Sequence, residues 1–278
     1  MVRTPIILIL SLTLAVLTAA APASAAPAGA PRPVAHSLPA PVACPGCWAP
    51  DPVTTWQWQL QGEIDTSIDA QMFDVDGFEV SAATVQALQD QGRDVVCYLS
   101  AGSWESWRLD AGDFPNSVKG AGNGWPGERW LDIRKLRVLG PIMQARLDRC
   151  AGKGFDGVEF DNVDGYQNRT GFPLTGADQL RYDVFLASQA HRRGLSAVLK
   201  NDLGQVRDLL PYFDAALNEQ CFQYDECDRL RPFVSAGKAV FTVEYRLALS
   251  EFCPQAAALG FNSMKKRLGL GVWHRPCP

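Results

Sequence analysis

The chain has 278 residues, 47% of them hydrophobic and 20% charged, with a formal net charge of −4. This apolar content lets the chain bury a large core, so a mostly disordered protein is excluded, and either one α/β barrel or two smaller domains fit the length. The acidic balance also disfavours nucleic acids and anionic membranes as partners. A neutral or cationic ligand is easier to reconcile with this charge.

The first 25 residues have the pattern of a secretory signal peptide. Arg3 precedes an apolar run over residues 6–17, and Ala23, Ser24 and Ala25 are small residues suited to a cleavage site. A membrane anchor is the alternative, but the run is shorter than the ~20 residues that span a bilayer. We therefore expect a secreted, extracellular protein. Residues 26–43, rich in Ala and Pro, should form an extended linker, and residues 44–278 one folded domain.

The eight cysteines fit export, because disulfides persist in oxidising compartments. They are Cys44, Cys47, Cys97, Cys150, Cys221, Cys227, Cys253 and Cys277. An even number allows up to four disulfides. We expect Cys221 to pair with Cys227 across a short loop, and the other pairings stay open. A zinc site at Cys44 and Cys47 is disfavoured, because no second Cys or His pair stands at zinc-ligand spacing.

Short apolar segments alternate with amphipathic ones along the chain. Strands are predicted at residues 54–60, 71–75, 94–100, around Val158 and Phe160, and at 196–200, 214–219, 238–244 and 261–265. Helices are predicted at residues 81–91, 134–150, 178–193, 203–210, 228–236 and 250–259. This α/β alternation predicts a parallel sheet, and eight strands predict a single (β/α)8 TIM barrel stabilised by disulfides. An open doubly wound sheet is the alternative, but no Gly-x-Gly-x-x-Gly turn follows the first strand.

Polar residues stand at the C-terminal ends of the predicted strands, where barrel enzymes carry their reactive groups. The strand through Val158 and Phe160, for example, stops at Asp161. A turn is the alternative explanation for Asp161 alone, but the same pattern recurs at six strand ends and predicts a functional rim. Its members are Asp74, Asp76, Tyr98, Ser100, Asp161, Asn162, Asp164, Lys200, Asn201, Asp202, Asn218, Glu219, Glu244 and Tyr245.

Carboxylates on such a rim predict glycoside hydrolysis. One carboxyl group protonates the leaving oxygen, while the other attacks the anomeric carbon or activates water. We predict Asp161 and Glu219 as this pair, with Glu244 as the reserve candidate. Which of the pair is the acid stays open, because burial decides it. No Gly-x-Ser-x-Gly turn is present in the sequence, so acyl hydrolysis is disfavoured.

The residue types of the same rim also allow two other kinds of chemistry. Lys200 ends an apolar strand, and an ion pair with a neighbouring carboxylate is favoured over a Schiff-base nucleophile. Asp161, Asp164 and Glu244 have the oxygens that Ca²⁺ or Mg²⁺ prefers, but they lack EF-hand spacing. We therefore predict no metal and no cofactor.

The connection over residues 101–132 is too long for a simple loop. It carries Trp104, Trp107, Trp125 and Trp130, half of the eight tryptophans, together with several glycines. Loops of this length inside a compact domain are usually functional. We expect it to form one wall of an aromatic cleft.

Several uncommon motifs between residues 56 and 245 occur together in one order. They are CYLSAGSWESWR, GERWLDIR, GFDGVEFDNVDGY, LKND, NEQC and FTVEY. In these motifs the chain resembles glycoside hydrolase family 114, the endo-α-1,4-polygalactosaminidases. The resemblance implies a secreted (β/α)8 hydrolase over residues 44–278 that cuts internal α-1,4 links in galactosamine-rich polysaccharide. The family's catalytic Asp and Glu fall on Asp161 and Glu219.

The resemblance also implies a cationic galactosamine polymer as partner, which an acidic rim attracts. We expect substrate binding by a further set of rim and aromatic residues and a monomeric protein. The set is Asp74, Asp76, Tyr98, Trp125, Asp164, Lys200, Glu244 and Tyr245. The alternative is a barrel that binds polysaccharide and has lost its chemistry. The presence of both Asp161 and Glu219 favours the hydrolase.

Overall fold

Twelve strands and six helices make up residues 38–278, the part of the chain that the computed structural model describes. The strands in chain order are β1 (Trp56–Gln59), β2 (Met72–Asp76), β3 (Asp94–Ser100), β4 (Ser103–Glu105), β5 (Lys119–Gly122), β6 (Glu128–Leu131), β7 (Gly157–Asp161), β8 (Ser196–Lys200), β9 (Ala215–Glu219), β10 (Val240–Glu244), β11 (Asn262–Lys266) and β12 (His274–Pro276). The helices are α1 (Ala82–Gln89), α2 (Leu136–Lys153), α3 (Gly176–His191), α4 (Val206–Leu209), α5 (Arg231–Ser235) and α6 (Leu249–Leu259).

The main sheet confirms the predicted (β/α)8 barrel. Eight parallel strands follow one another in the order β1-β2-β3-β7-β8-β9-β10-β11. All eight predicted strands are present. Six helices accompany them in the described residues, because the chain passes from β1 to β2 through a loop and follows β11 with a strand.

The barrel is not closed by a backbone ladder. β12 pairs antiparallel with β11, with Lys266 opposite His274, and so takes the strand edge on which β1 would pair in a closed barrel. Side chains bridge the opening instead. The Trp56 indole donates to the Asn262 carbonyl at 3.1 Å, and the Gln57 amide donates to the Val272 carbonyl at 2.9 Å. We call this junction of β1, β11 and β12 the seam.

The alternation of side chains along each strand divides the core in two. One cluster, with Trp58, Val96 and Leu217 among its members, draws on strands around the sheet and fills the barrel interior. A larger cluster packs the strands against the helices and includes Val158 and Phe160 of β7. Successive side chains of a strand point to opposite faces. The acidic residues of β7 therefore point into the barrel.

The long connection after β3 folds into a small sheet that the sequence analysis did not foresee. β4, β6 and β5 pair antiparallel in that order. Arg146 of α2 holds the segment: it is buried and donates to the Asp110 carboxylate at 2.7 Å and to the Ser100 carbonyl at 2.7 Å. This sheet stands over the C-terminal ends of the strands, as the predicted wall requires.

All eight cysteines form disulfides, and the predicted Cys221–Cys227 pair is confirmed. The other three pairs are Cys44–Cys47, Cys97–Cys150 and Cys253–Cys277. The last one fastens α6 to the segment that follows β12. It therefore holds the C-terminal end of the chain against the barrel.

The beginning of the described chain contacts the base of the barrel. The Tyr212 hydroxyl donates to the Pro39 carbonyl at 2.6 Å, and His191 bonds the Val42 carbonyl at 2.9 Å. The predicted signal peptide, residues 1–25, lies outside the described residues, and so do residues 26–37 of the predicted linker. Within residues 38–278, no helix is long and apolar enough to cross a bilayer.

Candidate active site

A cavity of about 350 Å³ opens at the C-terminal ends of the barrel strands. Asp161 of β7, Lys200 of β8 and Glu219 of β9 form its floor, since each stands at the last position of its strand and faces the barrel interior. Other lining residues are Trp58, Leu60, Gln61, Asp76, Glu79, Tyr98, Glu105, Trp107, Arg108, Trp125, Glu128, Asn162, Tyr245, Leu268, Gly269 and Leu270.

Lys200 joins three carboxylates at the floor of the cavity. Its Nζ lies 3.0 Å from Oδ1 of Asp161, 3.2 Å from Oε2 of Glu219 and 3.1 Å from Oε1 of Glu159. Asp161 and Glu219, far apart in sequence, therefore meet at one point. The predicted catalytic pair shares this pocket.

The charge of Lys200 follows from these contacts. Burial alone would lower the pKa of its ammonium group, but the carboxylates of Asp161, Glu159 and Glu219 outweigh burial and hold the pKa well above its usual value. The Trp58 ring adds a cation–π contact, with Nζ 4.6 Å from the ring centroid. A Schiff-base nucleophile needs a neutral amine. Lys200 is therefore a structural and electrostatic partner of the carboxylates, as the ion-pair interpretation predicted.

Asp161 is held in its ionised form. Burial tends to raise the pKa of this carboxyl, but the Lys200 charge and the Tyr98 hydrogen bond outweigh it, so the pKa lies below its usual value. The Tyr98 hydroxyl donates to Oδ2 at 2.8 Å, and the Asn162 amide donates to the same oxygen at 3.2 Å. Asn162 has a φ of 61°, which turns the chain sharply after the strand. An oriented, ionised carboxylate of this kind is suited to act as a nucleophile or a base.

Glu219 is fixed from two sides. The Tyr245 hydroxyl donates to its Oε1, and its own backbone amide donates to Oδ1 of Asn201 at 3.0 Å. Asn201 also accepts a hydrogen bond from the Asn218 amide at 3.1 Å. The side chain of Glu219 keeps 26% of its surface exposed toward the cavity. It is therefore both positioned and accessible.

Glu159 and Asp74 form a buried acidic layer beneath the cavity floor. Both are 1% exposed or less. Burial raises the pKa of Glu159, and burial together with the Glu159 charge raises the pKa of Asp74 well above its usual range. Asp74, predicted to bind substrate, lies outside the cavity lining. Glu159 was missed as a site residue, although its place two residues before Asp161 puts both side chains on one face of β7.

The remaining predicted binding residues divide between lining and support. Asp76 lines the cavity, but its carboxylate lies 2.7 Å from Arg108 and also accepts from the Phe78 amide at 2.8 Å. Glu244 is fully buried, lies outside the lining and accepts from the amides of Phe222 and Gln223. Glu244, the reserve catalytic candidate, therefore holds the loop after β9 through these two hydrogen bonds.

Asp164 also lies outside the cavity lining. Burial and the nearby Asp161 charge raise the pKa of its carboxyl above the usual value. Tyr98, Lys200, Trp125 and Tyr245 do line the cavity, as expected. The strand-end pattern in the sequence therefore marks this edge of the barrel but does not separate residues that face the cavity from those behind it.

Two exposed tryptophans stand on one side of the opening. Trp107 is 51% and Trp125 52% exposed, and both belong to the long connection after β3. Exposed aromatic faces beside carboxylates suit a ligand that is apolar on one face and polar at its edges, as a sugar ring is. The loops of the long connection after β3 thus supply two exposed aromatic faces at the cavity, where the sequence predicts an aromatic wall.

A second groove continues from the opposite side of the cavity. It holds about 900 Å³ and shares Leu60, Gln61, Asp76 and Glu79 with the first. Glu63 and Glu79 add carboxylates, and neither Lys nor Arg is among its lining residues. The two grooves therefore join through these shared residues. In residues 38–278, no cluster of three or more Cys, His, Asp or Glu is arranged to hold a metal ion.

Comparison with known proteins relates the chain that forms this cleft to a protein family. The model of glycoside hydrolase family GH114 matches residues 38–278. A crystal structure of Aspergillus fumigatus Ega3 in complex with galactosamine is similar at a TM-score of 0.79 and 39% identity, over 83% of this chain and 97% of that one. The glycoside hydrolase domain of Pseudomonas aeruginosa PelA shares the fold at a TM-score of 0.64 and 14% identity, over 79% of this chain and 97% of that one.

A curated relative from Deinococcus radiodurans, described as an uncharacterised protein, is 30% identical over 251 residues, or 77% of this chain and 79% of that one. The family match covers the strands, the floor carboxylates and the aromatic wall alike. The chain therefore belongs to glycoside hydrolase family GH114 and is a glycoside hydrolase.

Proposed function

We propose that the protein cleaves internal α-1,4 links in galactosamine-rich polysaccharide, with Asp161 and Glu219 as the catalytic pair. The observation that carries this proposal is the convergence of both carboxylates on Lys200, at 3.0 and 3.2 Å, on the floor of an open cleft. Glycoside hydrolysis needs two carboxyl groups facing one bond. Among the carboxylates that line the cavity, Asp161 and Glu219 are the two that share the Lys200 contact.

The surroundings assign a different role to each carboxylate. Asp161 accepts hydrogen bonds from three donors and its pKa is lowered, which supports its assignment as the nucleophile. Glu219, the other floor carboxylate, is then assigned as the group that protonates the leaving oxygen and afterwards activates water. Lys200 keeps the nucleophile charged and steers both side chains.

The separation of the carboxylates supports retention of anomeric configuration. Since Oδ1 of Asp161 and Oε2 of Glu219 lie 3.0 and 3.2 Å from one nitrogen, these oxygens are at most about 6.2 Å apart. Retaining enzymes have carboxyl groups ~5–5.5 Å apart, whereas inverting enzymes need ~6.5–9.5 Å to fit a water molecule. The pair therefore fits a covalent glycosyl-enzyme intermediate on Asp161.

The acidic groove favours a cationic polymer. Glu63 and Glu79 line it, and no Lys or Arg is among its lining residues, although Arg108 of the adjoining cavity lies 4.0 Å from Glu79. Free galactosamine units carry a positive charge. Such a groove concentrates a cationic ligand through its electrostatic potential. Ega3, with 39% identity, was crystallised with galactosamine. The groove extends well beyond the catalytic floor, which supports cleavage within a chain rather than at its end.

The protein is proposed to act outside the cell. Four disulfides in residues 38–278 are suited to an oxidising compartment. The signal-peptide pattern in residues 1–25 points the same way. N-terminal sequencing of the protein recovered from culture medium should begin at Ala26. Retention of residues 1–25 on the exported protein would contradict this assignment.

The activity is tested by the release of reducing ends from deacetylated α-1,4-galactosaminan. Asp161→Asn and Glu219→Gln should each lower the rate by at least ~10²-fold, since each removes one proton-transfer or nucleophilic group. Asp208→Asn, an exposed residue of α4 outside both grooves, is the matched control and should keep full activity. Wild-type protein that binds the polymer without releasing reducing ends would instead support a non-catalytic polysaccharide-binding barrel. Proton NMR of the first product should show the α anomer, and a β anomer would exclude retention.

A further inference from the structure

The seam between the first and last barrel strands is built differently from the rest of the sheet. The loop over residues 267–273 leaves β11 and returns as β12, and its residues Leu268, Gly269 and Leu270 line the catalytic cavity. No strand ladder joins this loop to β1 in the described residues. Its position therefore depends on individual hydrogen bonds.

Three successive carbonyls of the loop are held. The Leu60 amide donates to the Leu270 carbonyl at 2.9 Å. Nζ of Lys266 donates to the Gly271 carbonyl at 2.8 Å, and the Gln57 amide donates to the Val272 carbonyl at 2.9 Å. Lys266 and Gln57 are also joined to each other, with Nζ 3.1 Å from Oε1. Two buried side chains thus form one clamp on the loop.

Lys266 is an unusual choice for packing alone. It is 1% exposed, and the acceptors of its Nζ are a carbonyl and an amide oxygen rather than a carboxylate. Burial lowers the pKa of its amine to about 7. His274, opposite it on β12, adds a further basic group rather than a counter-charge. Burying a lysine without a carboxylate partner is unfavourable, whereas an apolar side chain would fill the same space without this penalty.

We infer that Lys266 and Gln57 are positioning residues that fix the loop over residues 267–273 as a wall of the polysaccharide cleft. Both residues act through the loop, since neither lines the cavity. The two glycines of the loop and the φ of 46° at Leu270 give a backbone that needs such external support. The clamp sets the width of the cleft beside Leu60 and Tyr245. This inference rests on the proposed function for its substrate but not for its structural readout.

The test compares the wild-type protein with Lys266→Met, which keeps the length of the side chain and removes its donors. The KM for galactosaminan should rise by about three- to tenfold while kcat stays within about twofold, because the chemical groups are untouched. Hydrogen exchange at amides of residues 268–273 should become faster, while exchange in β7 and β8 stays unchanged. A folded Lys266→Met variant with unchanged KM or unchanged loop exchange would overturn the inference.

The matched control is Lys238→Met at the opposite end of the barrel. Lys238 also donates to two carbonyls, those of Leu210 and Phe213, but lies outside both grooves. Its substitution should reduce stability without changing KM. A rise in KM equal to that of Lys266→Met would show a general loss of stability and reject the clamp.

A second variant, Gln57→Met, guards against failure of the first to fold. It removes the bond to Val272 and one contact of Lys266, so it should raise KM and loop exchange in the same way. The double variant should show less than the sum of the two effects, because both residues act on one loop. Additive effects, or failure of both single variants to fold, would overturn the inference. Wild-type protein without any activity would reject the proposed function, while the exchange experiment would still decide on the clamp.

Discussion

Two lysines at the C-terminal ends of barrel strands are equally buried but differ in their contacts and in their pKa. Lys200 and Lys266 are each 1% exposed. Lys200 faces three carboxylates, which hold its pKa well above the usual value, whereas Lys266 contacts neutral oxygens and its pKa falls to about 7. The partners rather than the residue type therefore decide the function. One lysine is paired with the carboxylates of the cavity floor, and the other donates to neutral oxygens at the seam.

Substitution of Lys200 should have the largest effect. In Lys200→Met, Asp161, Glu159 and Glu219 lose their shared counter-charge, so the pKa of Asp161 rises and the nucleophile becomes protonated. We expect kcat/KM to fall by more than ~10²-fold and unfolding to become easier by ~3–5 kcal/mol, as when one partner of a buried ion pair is removed. Denaturant unfolding and polymer hydrolysis measure the two effects. Lys135→Met, an exposed lysine, is the control; an active Lys200→Met protein would contradict the role given to this charge.

Removal of the Tyr98 hydroxyl should affect the same centre less. Its hydrogen bond to Asp161 is directed at a charged group, and such bonds contribute ~1.5–3 kcal/mol. Tyr98→Phe should therefore lower kcat/KM by about tenfold or more and move the acidic limb of its pH profile to higher pH. The matched control is Tyr182→Phe, which loses a buried hydrogen bond to the Ala101 carbonyl and should leave the pH profile in place. An unshifted acidic limb in Tyr98→Phe would mean that Tyr98 does not set the charge of Asp161.

The low pKa of Lys266 should make the free energy of unfolding depend on pH. Its pKa is about 7 in the folded protein and ~10.4 when unfolded, so between these values the unfolded chain binds a proton that the native protein lacks. Wild-type stability relative to Lys266→Met should therefore rise with pH from about 7 to 10 and level off above that range. The slope should not exceed ~1.4 kcal/mol per pH unit. Urea unfolding across this range measures it, and a flat difference would show that Lys266 stays charged when folded.

Substitution of His191, a third buried basic group, should have the smallest effect on stability. Burial alone would lower its pKa, but the Asp214 carboxylate, with Oδ2 2.9 Å from Nε2, and the Val42 carbonyl raise it above the usual value. This stabilisation is fully present below pH ~6.5 and is lost as the pH rises through the folded-state pKa. Stability relative to His191→Gln should therefore decline above pH ~6.5, by about 1 kcal/mol or less. A difference that grows with pH would contradict the assigned contacts.

The strand ends were predictable because their signal is local. Apolar residues at every second position of β7 and a continuous apolar run in β8 predict strands. The polar residue that ends each one marks the same edge of a parallel barrel. Asp161, Lys200 and Glu219 follow from this pattern. Glu159 was overlooked even though the same periodicity places it beside Asp161. The pattern names the face of a side chain but not its depth, so Asp74 and Glu244 were grouped with residues that reach the cavity.

The seam was not predictable in the same way. The sequence around β11 carried no distinctive motif, and the pairing of β12 with β11 joins segments whose register depends on the closure of the whole barrel. The small sheet after β3 and two of the four disulfides, Cys97–Cys150 and Cys253–Cys277, likewise depend on contacts distant in sequence. The sequence pattern predicts an ordinary surface position for Lys266, but distant segments of the same chain bury it in the folded protein.

The sequence by itself determined the eight barrel strands, the acidic rim and the identity of its two central carboxylates, because each depends on short-range periodicity and on residue type at a strand end. Only the tertiary structure decided which rim residues share a cavity, which lysine is paired with carboxylates and which is not, and how the barrel is closed. The physical reason is that charge state and accessibility depend on the distances between side chains of different strands. The arrangement of the folded chain sets those distances.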